Sequence, residues 1–148
     1  MSENPVESNE TGVSQPTGET DLASMLESIS VSVRPEPYVV ISLPREREIP
    51  SIGPEIGAVI SEDEGTTVIS TLSRAAREGW NHDFVASWLT IDVHSALEAV
   101  GLTAAFSRQL GRAGIACNVI AGFYHDHILV PVDKTDAAVE VIEALSGN

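Results

Sequence analysis

The sequence predicts an α+β fold made of two tandem blocks, and three observations carry that prediction. In FVASWLTIDVH, residues 84–94, Leu89, Ile91 and Val93 alternate with Thr90, Asp92 and His94, the period of two of a half-buried strand. In GLTAAFSRQLGRAG, residues 101–114, Leu102, Phe106, Leu110 and Ala113 fall on one helical stripe. Ala138, Val141, Ile142 and Leu145 do the same near the end of the chain. Finally, the order strand, connection, strand, tight turn, strand, helix occurs twice, so the chain is an internal duplication in outline.

Residues 1–30 carry six acids, no base and many Ser, Thr, Asn, Gly and Pro. That composition buries too little to offset the entropy of ordering, and a disordered acidic tail is expected there. The first block spans 31–85. YVVISLP, 38–44, is a β-branched run closed by proline, hence a strand. GAVIS and TTVIS flank the turn-forming EDEG and read as a hairpin. LSRAAREG is a two-turn helix stopped by Gly79. The connection IPSIGPEI, 49–56, has two prolines and cannot hold a full helix. FVASW can supply this block's fourth strand.

The second block spans 86–148. After the strand and the helix, for which Gly114 is a C-cap, come strand ACNVIAGFY, a tip at His125-Asp126-His127, strand ILVPV and a helix capped by Asp133 or Thr135. No fourth strand follows before Asn148. VSVRP, 31–35, or a strand of another subunit would have to fill that open edge.

Charge narrows the function. The 148 residues hold 22 acids against 8 Lys and Arg, a net charge of −14, and the only lysine is Lys134. Nucleic acid and anionic membrane require a basic face, so neither is expected as a partner. Acid in excess with almost no lysine is also the composition of a protein from a salt-saturated, halophilic cytoplasm. Cys117 is the single cysteine and sits among apolar residues, which fits a structural thiol. There is no signal peptide and no apolar run long enough to span a bilayer, so a cytoplasmic location is expected. Trp80 and Trp88 are expected as core or interface anchors.

Two local patterns are candidates for chemistry. His125 and His127, two apart, would share one face of a strand and could hold a metal with His94, Asp92 or His82 as third ligand. The simpler reading makes Tyr124–His127 a hairpin tip, with Asp126 supplying turn hydrogen bonds. In HSALEAVGLTAAF, Ser95 and Glu98 have the S-x-x-E spacing of a capping box, which would place Gly101 inside a helix. Alternatively a short turn precedes a helix that starts at Gly101, leaving the amides of Gly101, Leu102 and Thr103 free for an anion.

The runs SALEAVGLTAAFSRQL and AGIACNV-AGFYHDHILVPV, with the acidic helix after them, resemble the ACT-domain superfamily, and within it small stand-alone tandem proteins related to the CASTOR amino-acid sensors. The resemblance covers about residues 86–146, and the first block fits only in outline. It implies tandem ferredoxin-like βαββαβ repeats with antiparallel sheets and helices on one face, and a ligand held between repeats. Carried onto this chain, it implies a site at Ser95, Glu98, Val100, Gly101 and Leu102, faced by Asn118 and Asp126. Backbone amides and Ser95 would take a carboxylate, and Glu98 or Asp126 an ammonium. The first block has no equivalent loop, so one site per chain is expected.

The expectation is therefore a non-enzymatic sensor of an amino-acid-like small molecule, needing no cofactor or metal, acting as a homodimer on a separate regulated protein. A metal-dependent enzyme built on His94, His125 and His127, or a pure oligomerisation module, are the alternatives. No nucleophile elbow, phosphate loop or paired catalytic carboxylates are present.

Overall fold

The computed structural model describes residues 21–93 and 99–147. In chain order the elements are α1 (Leu22–Glu27), β1 (Ser30–Val33), β2 (Tyr38–Leu43), β3 (Ile56–Ser61), β4 (Thr66–Thr71), α2 (Leu72–Glu78), β5 (Val85–Asp92), α3 (Leu102–Arg112), β6 (Asn118–Ala121), β7 (Asp126–Pro131) and α4 (Thr135–Glu143), with short 3₁₀ turns on both sides of α4. The strands make one antiparallel sheet in the order β3-β4-β2-β5-β7-β6, and β1 pairs with β5.

β1 and β2 are two halves of one extended line, interrupted where Pro35 and Pro37 remove backbone donors. β1 runs along Leu89–Asp92 of β5, β2 runs along Val85 and Ala86, and between them the Arg34 amide donates to the Trp88 carbonyl at 2.9 Å. Two ferredoxin-like strand sets therefore interlock. The first repeat is β3-β4-β2 completed by the start of β5, and the second is β5-β7-β6 completed by β1. The edge left open in the sequence reading is filled by VSV of the same chain.

All helices lie on one face. α1, α3 and α4 bury Met25, Phe106, Leu110, Ala138 and Ile142 against Leu89, Ile91, Ile128 and Val130. α2 covers Val39, Ile41 and Val68 through Ala75. It starts where the Thr71 side chain accepts from the Arg74 amide and stops at Gly79, whose φ of 67° is the left-handed conformation glycine permits.

Three expectations need correction. Within the expected tail, residues 22–27 form α1 and Ser30 begins β1, because Leu22, Met25, Leu26 and Ile29 form an apolar stripe that an average over thirty polar residues hides; Met25 is 1% exposed. Residues 1–20 lie outside the described residues. The β6–β7 turn occupies 122–125, closed by the Gly122 amide donating to the His125 carbonyl at 2.9 Å, so Asp126 and His127 belong to a strand and not to a tip. Finally, neither Asp133 nor Thr135 caps α4: Val132–Lys134 form a 3₁₀ turn, and the Thr135 hydroxyl instead donates to the Val132 carbonyl at 2.8 Å.

Candidate functional site

The connection from β5 to α3 ends at Gly101, which has φ 102° and ψ −15° and serves as N-cap of a helix whose first residue is Leu102. The left-handed φ is the reason a glycine stands there. Helix does not run through Gly101, and the Ala105 amide bonds back to its carbonyl at 2.9 Å. In any α-helix the first amides lack a carbonyl of a preceding turn, so those of Leu102 and Thr103 need another acceptor. Val100 is 82% exposed, whereas the Leu102 side chain is core, which limits its contact with any ligand to the backbone. Leu22 of α1 leans on this turn, with its Cδ2 3.0 Å from where a Cβ on Gly101 would lie. Ser95, Glu98 and His94, with the capping-box reading, lie outside the described residues.

The two facing residues separate. Asp126 pairs in register with Ile91 and Ala121, which puts it on the helix face at the end of β5 from which the α3 connection departs. It is half-buried, and burial pushes its carboxyl up. Asn118 pairs with Leu129, whose side chain belongs to the opposite face, so Asn118 is exposed there and is not brought to Asp126 and Gly101.

That opposite face has a core of its own, which the sequence reading missed. Tyr38, Ile69, Ala86, Trp88 and Leu129 are buried on it although no helix covers them. The sheet curls so far that a Cβ on Gly57 of β3 would sit 2.5 Å from the Trp88 ring. Glycine there opens the slot that admits the indole. The Arg34 guanidinium lies over Trp88, 3.8 Å from the ring centroid, and donates to the Tyr38 hydroxyl at 3.2 Å. On its other side Trp88 Nε1 donates to His127 Nδ1 at 3.1 Å, with the Thr90 hydroxyl 3.0 Å from the same nitrogen. An indole N–H only donates, so Nδ1 is the acceptor and the neutral ring carries its proton on Nε2. Burial first, then the Arg34 and His125 charges, push His127 below its ordinary pKa, against an opposing pull from Asp92.

The two histidines of the metal reading point to different partners. Nδ1 of His127 is engaged by Trp88, and the His125 ring is 6.4 Å away, centroid to centroid, at 76°. Among the described residues no group of three or more His, Cys, Asp or Glu side chains converges on a metal position. Cys117 is partly buried, and burial pushes its thiol up, away from the thiolate a nucleophile needs. No helix among the described residues is long and apolar enough to cross a membrane.

Two ACT-domain family models match in tandem, over residues 17–87 and 84–144. The chain belongs to the ACT-domain family. A Vibrio cholerae protein of unknown function, described as a possible transport protein, is 34% identical, covers 84% of this chain and 95% of its own, and superposes with a TM-score of 0.72. A protein from Agrobacterium tumefaciens is 17% identical over 80% of this chain and 89% of its own, with a TM-score of 0.63. The ligand-free regulatory subunit of aspartate kinase from Thermus thermophilus is 8% identical over 78% of this chain and 95% of its own, with a TM-score of 0.55, and shares the fold. No curated protein matches. Tandem ACT domains support a regulatory, ligand-binding role.

Proposed function

We propose that this protein is a non-enzymatic regulator that binds an amino acid or a similar small ligand beside the turn at Gly101, where the start of α3 meets α1. The carrying observation is the left-handed Gly101, which starts α3 at Leu102 so that the first-turn amides open a helix there instead of lying inside a continuous one. Asp126, on the same face and at the same end of the sheet, suits the ammonium of a zwitterion. Ser95 and Glu98 are the side chains the family resemblance adds. Asn118 faces the other way and drops out of this set.

A ligand that closes over the turn would favour one arrangement of α1 against α3, because Leu22 touches Gly101. Differential affinity for two such arrangements is what a regulatory signal requires. The signal would pass to a separate protein, in the cytoplasm. Pairing of two copies is expected along β6, which is an edge strand among the described residues, with the exposed Val119, Phe123 and Tyr124 beside it.

Thermal unfolding with each of the twenty amino acids tests the reading. A ligand at a hundred times its Kd adds about 2.7 kcal/mol of stability. Gly101→Ala should remove the response, and a full response in that variant would sink the proposed site.

A further inference from the structure

The far face of the sheet holds a feature that the Gly101 site does not use. At the joint between β1 and β2 an open cleft of about 560 Å³ is lined by Arg34, Glu36, Tyr38, Pro54 and Glu55, among others. Its volume falls within the range typical of small-ligand sites. Arg34 is fixed before any ligand arrives: Trp88 lies under its guanidinium, Tyr38 receives one N–H, and Gly57 keeps the neighbouring strand clear of it. Stacking on an indole orders the planar fork and leaves most of its five donors unused. Among the described residues Arg34 makes no ion pair, in a chain with 22 acids and 8 Lys and Arg. An arginine held against an aromatic ring, with no carboxylate on it and a cleft in front of it, is a preorganised receptor for a planar anion.

The rim selects the anion. Glu55 is engaged by Arg77, and Glu36 is exposed with no ion pair of its own among the described residues. The Glu36 carboxylate on the rim of the same cleft, in a protein of net charge −14, disfavours a phosphate dianion. It favours instead a carboxylate that brings its own cation. We propose that the cleft between Arg34 and Glu36 is a second ligand site that takes a small zwitterion, with its carboxylate on Arg34 and its ammonium on Glu36. The site is distinct from the Gly101 turn, which lies on the helix face. It predicts that ligand occupancy is transmitted directly to β5, the strand both repeats share.

The test uses the full chain labelled with ¹⁵N. Its two tryptophans give two indole signals, and Trp80→Phe assigns the one from Trp88. Each of the twenty amino acids is titrated; for any that moves the Trp88 signal, the methyl ester lacking the carboxylate and the acid lacking the amine are titrated as well. The expected result is a saturable Trp88 shift with an amino acid, and affinity at least about tenfold lower for both analogues, roughly 1.4 kcal/mol. Arg34→Met keeps an apolar stem over Trp88 and should weaken binding at least about tenfold. Glu36→Gln sits on the exposed rim, endangers no packing, and should erase the preference for the amine-bearing form. A Trp88 signal that no amino acid moves, or affinity unchanged in Glu36→Gln and Arg34→Met, overturns the proposal. The two sites fail separately. A ligand whose stabilisation is lost in Gly101→Ala but which never moves Trp88 sinks the cleft and keeps the turn, whereas a Trp88 shift cancelled by Arg34→Met, with stabilisation intact in Gly101→Ala, does the reverse.

Discussion

The two repeats solve the same packing problem with unequal means. The second covers its strands with α1, α3 and α4 and buries a continuous cluster from Met25 to Leu145. The first has no helix between β2 and β3, and α2 alone covers Val39, Ile41 and Val68, helped by Trp80, which packs against that cluster. Trp80 and residues 47–51 line one cleft of about 300 Å³, and Trp80 Nε1 is buried with no partner among the described residues. One bulky side chain has taken part of the work of a helix. The cost is an unpaired polar atom, worth about 1–3 kcal/mol of desolvation.

Substitutions can break or sharpen this contrast. The largest effect is expected in the second repeat, where Phe106 is 0% exposed: Phe106→Ala should cost about 3–5 kcal/mol in urea unfolding. Trp80→Ala should cost less, about 1.5–3 kcal/mol, since the ring is only partly buried. Trp80→Phe keeps most of the apolar surface and deletes the orphaned N–H, so stability should hold or rise; a loss as large as that of Trp80→Ala would refute the account of Trp80. Between the repeats, Gly57→Ala drives a methyl into the Trp88 ring and should cost about 1–3 kcal/mol, with a changed Trp88 fluorescence spectrum as its signature. Gly101→Ala forces a side chain into a left-handed conformation and should cost about 1–2 kcal/mol.

The smallest effect is a pH dependence. His127 is held below its ordinary pKa, so between that folded value and about 6.5 the unfolded chain binds the proton that the folded chain refuses. Its contribution is complete above about pH 6.5 and is lost as pH falls through the folded value. Asp126 acts oppositely and lower: a carboxyl raised above its ordinary value destabilises the neutral fold, and protonation below its folded pKa relieves this. Urea midpoints at pH 7.5 and 5.5 should fall with pH in the native sequence, and by a smaller margin in His127→Gln. An equal fall in both would show that the fold does not hold His127 below its ordinary pKa.

Much of the helix face was legible because its signals are periodic. Leu89 and Ile91 alternate as a one-sided strand should, Phe106 and Leu110 lie a turn apart, and Gly79 stops α2 at the residue read from the sequence. The far face was illegible for the same reason. Trp88 is 2% exposed, as expected of an anchor, but alternation puts it on the outward side with Thr90, and what covers it there is sheet curl, a tertiary property that folds Gly57 and Arg34 over it. The candidate site was legible in part. A glycine between two apolar runs marked the α3 start, but whether Asn118 and Asp126 share a face depends on where the β6–β7 turn begins. A shift of that turn by two residues moved Asp126 from loop to strand.

The exchange of fourth strands sets synthesis order against assembly order. Residues 30–33 leave the ribosome before any of β5, α3, β6, β7 or α4 exists, yet they dock on Asp92–Leu89 to finish that later module. The leading segment must wait, unpaired, until β5 has followed it out. Severing the polypeptide anywhere between Val33 and Val85 would therefore leave neither fragment with a complete sheet, so each half depends on the other for its last strand.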